Sequence, residues 1–330
     1  MSQFNFFKIL EKDNKELIHS AFISYLLDNN KNFRKNFIHE KIGNFKISEL
    51  EKSYSDKKLK IRIDIEIRSS EGNFIAFIEN KFKSFPTNKQ LQNYDKVFKS
   101  KFDKSFELKK ILFCFDKSIA KLKTNWKILD YKDLLDFLKI DYQSKINSDE
   151  DIFVKHYITF LSDYIETYKN LKYNCNHLFK PNLTKDQKFW LKLLNSQIAM
   201  EFESEFSDQQ FVFIINPGNT STPLLSIIPK HWKSKTGEEV LIQFQGNELK
   251  FYLHSKNKES AQKLIHYSID KTWNNNIEIK KLTKRNENSC FIFKTKITDN
   301  LDNDFTYKEL YKLIIEFYNN IEEKIIKNYK

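Results

Sequence analysis

The sequence predicts an α/β fold for residues 1–145 and an α+β fold for residues 185–330. Residues 61–67 alternate between isoleucine and charged side chains, which is typical of a half-buried strand. Residues 110–115 form a short apolar run, which is typical of a strand buried on both faces. Because a helix is expected at 88–98, between these strands, part of the sheet is predicted to be parallel.

The elements before the sheet are predicted to be mainly helical. An amphipathic helix is expected at 13–28, with Leu17, Ala21 and Tyr25 on its apolar face. Residues 30–57 are polar and basic, with scattered apolar residues between them. This composition indicates a short helix followed by an irregular connection.

The central elements have clear start signals. Turn-forming residues at 69–73 join two strand-like runs, so residues 59–81 are predicted to form a β-hairpin. Asn88 is the predicted N-cap of the helix that follows, and Asp130 is the predicted N-cap of a later helix. A further strand is expected at 126–129, directly before Asp130.

The composition divides the chain into three predicted parts. A domain at 1–145 is followed by a helical connection at 146–184 and by an α+β domain at 185–330, which would bind substrate or a partner. The helix expected at 151–169 is rich in aromatic residues, which are interpreted as a packing face rather than a base-stacking platform. Turn-forming residues at 172–184 mark the boundary.

The last part of the chain is predicted to alternate helices with antiparallel strands. Helices are expected at 185–205, 259–273 and 307–327, and strands at 211–215, 224–228, 240–245, 249–254, 277–282 and 289–296. Gly246 and Asn247 form the predicted tight turn of one hairpin. The basic residues at 231–233 and 280–285 could contact nucleic acid, but solvated loops are the favoured interpretation.

The chain is basic, because 56 Lys and Arg residues against 44 Asp and Glu residues give a net charge of +12. Such a charge favours nucleic-acid binding, since lysines neutralise phosphates and release counterions. A compositional explanation has equal weight, because the chain is rich in Lys, Asn, Ile and Phe. The charge alone leaves both explanations open.

Membrane and secreted classes are not indicated. No apolar run approaches the roughly 20 residues needed to span a bilayer, and the N-terminal residues have no basic start followed by an apolar core. Cys114, Cys175 and Cys290 are scattered and form neither a metal-type pair nor a disulfide framework. A cytoplasmic protein without a membrane partner is therefore expected, and formation of a homo-oligomer is left open.

Three charged residues of the predicted hairpin could together form a metal-dependent catalytic site. Asp64 is expected near Glu79 of the other strand, and Glu79 and Lys81 share a face because they are two residues apart. Two carboxylates can hold a hard divalent cation, and a lysine beside them can stabilise or help deprotonate a metal-bound water. In the alternative, Asp64 and Glu66 are solvent-facing charges of an edge strand. Glu79 and Lys81 would then be an exposed ion pair.

The order of these residues resembles the D…(D/E)-x-K motif of the PD-(D/E)xK nuclease superfamily. Asp64 matches the first carboxylate of the motif, and the run Glu79, Asn80 and Lys81 matches the remainder. The chain departs from the full motif at Ile63, where the superfamily name has a proline.

Two helix motifs extend the resemblance over about the first 140 residues. Gln90 and Tyr94 are similar to the Q-x3-Y motif found in several branches of the superfamily. Glu16, His19 and Ser20 are similar to the E-x2-H-S motif in the first helix of one uncharacterised branch. The resemblance implies a restriction-endonuclease-like core, in which helices flank a mixed central sheet.

The resemblance also implies roles at a metal site. Asp64, Glu79 and the backbone carbonyl of Asn80 would bind Mg2+, with Mn2+ as an alternative metal. Glu16 would be a further ligand, directly or through a water. Lys81 would orient the attacking water or stabilise the developing negative charge.

Four further residues have supporting roles by the same resemblance. Gln90 and Tyr94 lie on one helical face, where they would brace the metal site or contact a substrate phosphate. His19 and Ser20 would lie directly behind the metal-binding residues.

The function implied by the resemblance is metal-dependent hydrolysis of phosphodiester bonds in nucleic acid, with DNA as the expected substrate. Genome defence or DNA processing is the implied context. Two alternatives stay open, namely a non-catalytic nucleic-acid-binding module and a protein-interaction module on the same fold. The joint presence of Asp64, Glu79 and Lys81 argues against the binding module, because binding has no chemical need for all three.

Overall fold

The computed structural model of the chain forms two compact units, Met1–Glu166 and Thr167–Lys330. The described residues are 5–9, 16–38, 45–56, 58–69, 74–103, 105–117, 125–142, 148–180, 182–216, 222–255, 257–269, 289–297 and 305–329. No helix among them is both long and apolar enough to cross a membrane. The three-part division of the chain at 145 and 184 stays a prediction.

The first unit is built on a five-stranded mixed sheet in the order β1-β2-β3-β4-β5. The strands are β1 (Phe45–Ser55), β2 (Lys60–Ser69), β3 (Phe74–Lys81), β4 (Glu107–Cys114) and β5 (Lys127–Asp130). β1, β2 and β3 pair antiparallel, whereas β3, β4 and β5 pair parallel. The α/β fold, its hairpin and its parallel part are therefore confirmed.

Helices flank this sheet, which is consistent with the expected restriction-endonuclease-like core. They are α1 (Phe6–Ile9), α2 (Glu16–Asn29), α3 (Lys31–Phe37), α4 (Asn88–Lys101), α5 (Tyr131–Asp141) and α6 (Asp149–Leu171), whose residues from Thr167 onward belong to the second unit. α4 connects β3 to its parallel neighbour β4, and α5 follows β5 directly. The order strand, helix, strand is the one expected for a parallel pair of strands.

A hydrophobic cluster holds β3 against α4. Phe77 of β3 stacks on Phe98 of α4, with the ring centroids 4.0 Å apart. Leu91 and Val97 of α4 are buried in the same cluster. Every residue of β3 before Lys81 is buried, as expected of a central strand. This packing holds α4 against β3.

Residues 45–55 form β1, where the sequence predicts an irregular connection, so that prediction is wrong. The pairing of β1 with β2 shifts register between Ile47 and Glu49, and Glu51 has a positive φ of 54°. A shift of this kind breaks the two-residue alternation by which a strand is recognised. β1 is also an edge strand, in which charged residues are common.

The buried face of α2 also differs from the prediction. Leu17, Ala21 and Tyr25, the predicted apolar face, are all exposed. The buried residues of this helix are His19, Ser20, Phe22, Ile23, Ser24, Leu26 and Leu27. Because apolar residues occur on nearly every side of α2, their spacing does not show which side is buried.

Side-chain caps set the starts of two helices. Thr87 caps α4 by accepting a hydrogen bond from the backbone N–H of Gln90, so the predicted cap Asn88 is instead the first helical residue. Asp130 caps α5 as predicted, in a capping box with Asp133. The cap at Thr87 fixes the turn that carries Gln90.

The second unit contains an antiparallel five-stranded sheet in the order β10-β9-β8-β7-β6. Its strands are β6 (Phe211–Ile215), β7 (Leu224–Pro229), β8 (Glu239–Gln245), β9 (Glu248–His254) and β10 (Ser289–Lys296). Its helices are α7 (Lys185–Glu205), α8 (Lys230–Thr236), α9 (Lys258–Ile269) and α10 (Tyr307–Ile321). Gly246, with φ of 60°, makes the predicted tight turn between β8 and β9. The predicted α+β character of this part is confirmed.

One basic segment of the second unit is not the solvated loop that was expected. Residues 231–233 lie in α8, where Trp232 is fully buried and donates a hydrogen bond to Glu322. The predicted strand at 277–282 and the basic segment at 280–285 lie outside the described residues. Residues 70–73 of the predicted turn lie outside them as well.

Candidate active site

The first unit contains a cleft between β2, the end of β3 and the start of α4. Its volume is about 500 Å³. It is lined by Glu16, Lys60, Ile61, Arg62, Asp64, Glu79, Lys81, Thr87, Lys89, Gln90, Asn93 and Tyr94. All six side chains that the sequence suggested as catalytic are therefore brought to one cleft.

Glu79 and Lys81 form a buried ion pair at the end of β3. Lys81 Nζ lies 2.8 Å from Glu79 Oε1, and the two side chains are 13% and 2% exposed, respectively. Burial raises the pKa of Glu79 to about 7, although the charge of Lys81 lowers it. Burial lowers the pKa of Lys81, but the carboxylates of Glu79 and Glu16 outweigh burial and raise it. The alternative of an exposed ion pair is therefore wrong, and a charged lysine is held at the cleft.

Asp64 lies across from Glu79 where β2 and β3 stop pairing. The last pair of this ladder is Ile65 with Ile78, so Asp64 and Glu79 are the next residues on the two strands. Asp64 Oδ2 accepts a hydrogen bond of 2.7 Å from the backbone N–H of Asn80. Burial raises the pKa of the Asp64 carboxyl, although this hydrogen bond lowers it. The hairpin thus brings two partly desolvated carboxylates together.

Glu66, the neighbouring carboxylate of β2, does not line the cleft. Its side chain is fully buried, and Arg68 Nε donates a hydrogen bond of 2.5 Å to its Oε1. Arg68 also donates to the hydroxyl of Tyr54, at 3.1 Å. Glu66 is therefore not the solvent-facing charge that the alternative expected.

Gln90 and Tyr94 support Glu79 from α4. Gln90 Nε2 donates hydrogen bonds to Glu79 Oε1 at 2.8 Å and to Tyr94 Oη at 2.9 Å. Tyr94 Oη donates in turn to the backbone carbonyl of Arg62, at 3.0 Å. Since Gln90 and Tyr94 are four residues apart on a helix whose start is capped, both reach β2 and β3 from one face. Together they fix the carboxylate of Glu79 relative to β2.

Glu16 reaches the cleft from the first turn of α2. Ser84 Oγ donates a hydrogen bond of 2.5 Å to Glu16 Oε1, and Glu16 Oε2 lies 3.8 Å from Lys81 Nζ. Lys81 therefore lies between Glu16 and Glu79. Ser84 was not expected from the sequence, because it lies in the loop before α4 and belongs to no recognisable spacing.

The side chain of Asn80 points away from the cleft and joins three elements. It is fully buried, and its amide nitrogen donates to Ser20 Oγ at 3.0 Å and to the carbonyl of Glu16 at 3.2 Å. Its amide oxygen accepts a hydrogen bond from Tyr131 Oη at 2.6 Å. Neither this use of the Asn80 side chain nor the role of Tyr131 was expected from the sequence.

Ser20 and His19 lie behind the cleft on α2. Ser20 receives the hydrogen bond from Asn80, as described above, and donates to the carbonyl of Glu16 at 3.0 Å. His19 is fully buried, its Nδ1 lies 2.9 Å from Tyr157 Oη, and its ring stacks on Phe82 with centroids 3.8 Å apart. His19 thus packs in the core rather than lining the cleft.

The chemistry of the lining fits a hard divalent cation. Glu79 Oε2 is buried and has no hydrogen-bond partner among the described residues, and Asp64 supplies a second carboxylate. The described part of the chain has no group of three or more His, Cys, Asp and Glu residues arranged to hold a metal. Asp64 and Glu79 could hold such a cation together with oxygen ligands from the backbone, water and substrate.

Comparison with known proteins identifies a family for the first unit. Residues 4–162 match a family model of the PD-(D/E)XK nuclease superfamily. No curated protein and no solved structure matches the chain significantly. Proteins of this superfamily are generally nucleases that hydrolyse phosphodiester bonds, and they typically use divalent metal ions such as Mg2+. The resemblance to the PD-(D/E)XK nuclease superfamily that the sequence motifs indicated is thus confirmed by a family model over residues 4–162.

Proposed function

We propose that the chain is a metal-dependent nuclease that hydrolyses phosphodiester bonds of DNA in this cleft. The observation that carries the proposal is the convergence of Asp64, Glu79 and Lys81, with the Glu79–Lys81 pair buried at 2.8 Å. Burying carboxylates costs folding free energy unless partners offset it. A role in catalysis at a phosphate therefore explains the buried carboxylates better than a role in folding stability does.

Asp64 and Glu79 are the proposed metal-binding residues. Glu16 is proposed as a further ligand through a water, and the backbone carbonyl of Asn80 as an additional one. When bound, Mg2+ or Mn2+ would lower the pKa of a water and offset negative charge on the reacting phosphate. Asp64 and Glu79 are hard oxygen donors of the type that such cations prefer.

Lys81 is the proposed electrostatic catalyst. Its ammonium group is held at the cleft by Glu79 at 2.8 Å and by Glu16 at 3.8 Å. There it can stabilise negative charge that develops on the phosphate, or orient the attacking water. Gln90 and Tyr94 are proposed to hold Glu79 in place, since Gln90 donates to the same Glu79 oxygen that Lys81 contacts.

Cleavage of plasmid and linear DNA in Mg2+, in Mn2+ and in EDTA tests the proposal. We expect cutting that requires a divalent metal, and we expect Lys81→Ala to lower its rate by about 100-fold or more. DNA binding by Lys81→Ala should be largely kept. Lys96→Ala is the matched control, because Lys96 is an exposed lysine of α4 that does not line the cleft.

Two results would contradict the proposal. Equal rates of cutting by Lys81→Ala and the wild type would show that Lys81 has no catalytic role, and the proposed site would be wrong. Binding of DNA without cutting by the wild type in either metal would favour the non-catalytic binding module. Metal titration of the wild type, Asp64→Asn and Glu79→Gln then shows whether the cleft binds a cation at all.

A further inference from the structure

The cleft has a basic part that the proposed catalytic groups do not use. Lys60 and Arg62 of β2 and Lys89 of α4 line the same cleft as Asp64. Residues 60, 62 and 64 are two apart on one strand, so their side chains project from the same side of the strand. Lys60 and Arg62 thus form a row of two positive charges that extends along β2 away from Asp64.

These cations are available to a ligand. Lys60 and Lys89 are exposed, and neither forms an ion pair with another described residue. The side chain of Arg62 is 63% exposed and lies 3.3 Å from Glu51 Oε1. An exposed pair of this kind is weak because solvent screens it, so an incoming anion can replace it.

The spacing of the row matches a nucleic-acid backbone. Residues two apart on a strand are separated by roughly 7 Å. This distance is comparable with the distance between successive phosphates of an extended nucleotide strand. If the scissile phosphate lies at Asp64 and Lys81, the next two phosphates on one side lie near Arg62 and Lys60.

The rest of the lining favours recognition of the backbone over recognition of bases. Tyr94 is the one aromatic residue among the described lining residues, and it is buried, with its hydroxyl bonded to β2. Base-stacking sites instead expose aromatic faces to successive bases. Lysine and arginine contacts to phosphates position a strand without reading its sequence.

We propose that Lys60, Arg62 and Lys89 form a phosphate-binding track for one nucleic-acid strand, on one side of the bond that is cut. The track holds the strand through its phosphates and independently of its sequence. The inference rests on the proposed function for its position relative to the cut, but the binding that it describes needs no turnover. The strand is either single-stranded nucleic acid or one strand of a duplex.

Equilibrium binding of fluorescent oligonucleotides in EDTA, measured over a range of salt concentrations, tests the track. The full-length wild type is compared with the triple variant Lys60→Gln, Arg62→Gln and Lys89→Gln on single-stranded and duplex DNA of two sequences. We expect the slope of log affinity against log salt to fall in magnitude by about 2 to 3. The loss of affinity should be equal for both sequences, and the larger loss identifies which strand form occupies the track.

The matched control removes the same net charge from a nearby surface. It is the triple variant Lys96→Gln, Lys99→Gln and Lys101→Gln, whose three lysines are exposed on α4 and do not line the cleft. Both triple variants lower the net charge by three. A difference between their slopes therefore reports the position of the removed charges and not the electrostatic field of the whole protein. Equal slopes for the two triple variants would overturn the track.

Failure of the track and failure of the nuclease proposal give different results. If the wild type cuts DNA and the track variant binds and cuts as the control variant does, the track alone is wrong. If the wild type cuts nothing but the track variant loses binding and the control does not, the track stands and the nuclease proposal falls. If the wild type cuts, the track also predicts a KM that rises several-fold in the track variant.

Discussion

The hydroxyl of Tyr131 donates a hydrogen bond of 2.6 Å to the side-chain oxygen of Asn80. Asn80 is the middle residue between Glu79 and Lys81, a position from which the superfamily resemblance requires only a backbone carbonyl. Its amide nitrogen also donates to Ser20 and to the carbonyl of Glu16. One buried side chain thus ties the end of β3 to α5 on one side and to α2 on the other.

Replacement of Asn80 by alanine should lower the free energy of unfolding by about 2 to 4 kcal/mol. The reason is that Tyr131 and Ser20 would each lose a partner in a buried position, at a cost of about 1–3 kcal/mol per group. Urea unfolding followed by circular dichroism gives the midpoint and slope from which this difference is obtained.

Asn36→Ala is the control for this prediction. Asn36 is exposed on α3, so its replacement should change stability by no more than about 0.5 kcal/mol. Asn80→Asp keeps an acceptor for Tyr131 but has no amide to donate, and it is expected to be destabilised as well. A wild-type midpoint for both Asn80 variants would show that these hydrogen bonds contribute nothing to stability.

The sequence predicts well those elements that have a local sequence pattern, such as an alternation, an apolar run or a helix cap. The alternation at 61–67, the apolar run at 110–115 and the cap at Asp130 all correspond to observed elements. β1 has no such signal, because its register shift breaks the alternation of apolar and polar residues. Its strand conformation depends instead on its pairing with β2. The buried side of α2 is likewise set by tertiary packing.

Gln90→Ala should lower nuclease activity and metal affinity by about 10- to 100-fold. Gln90 donates to Glu79 Oε1 at 2.8 Å, so its removal frees the carboxylate to take other rotamers. Tyr94→Phe should act in the same direction, because Tyr94 connects Gln90 to the backbone of β2. Isothermal titration with Mn2+ and single-turnover cleavage measure the two effects separately.

Gln92→Ala is the matched control on the same helix. Gln92 is exposed and does not line the cleft, so its replacement should leave metal affinity and cleavage at wild-type levels. If Gln90→Ala and Gln92→Ala behave alike, the hydrogen bond to Glu79 has no role in orienting that carboxylate.

The candidate site is predictable from sequence only where its residues follow a motif. Asp64, Glu79 and Lys81 have a recognisable order, and the hairpin that joins them is itself predictable. Ser84 and Tyr131 have no such order, because each reaches the site by the folding of a loop or a distant helix. Their contribution depends on three-dimensional contacts that no spacing along the chain encodes.

A buried lysine in the second unit gives a prediction that does not depend on the site. Lys192 of α7 is fully buried, and its Nζ has no hydrogen-bond partner among the described residues. Burial, together with the charge of Lys188, lowers the pKa of Lys192 to about 8 from an ordinary value of 10.5. At neutral pH the folded protein therefore keeps a charge in an unfavourable environment.

Lys192→Met should stabilise the protein at pH 7 by about 1–3 kcal/mol, because it removes this buried charge. The advantage should shrink as the pH rises from 8 toward 10.5. In that window the wild-type folded state has lost the proton on Lys192 while the unfolded chain still binds it, so the stability of the wild type increases with pH. Urea unfolding of both proteins at pH 7 and pH 10 measures the two differences.

Lys185→Met separates this effect from the general loss of a positive charge. Lys185 is exposed in the first turn of the same helix, so its replacement should change stability little and equally at both pH values. A difference between Lys192→Met and the wild type that is the same at pH 7 and pH 10 would mean that Lys192 does not titrate in this range. Lower stability of Lys192→Met at pH 7 would mean that the ammonium group is stabilised by its surroundings, and the lowered pKa would then be wrong.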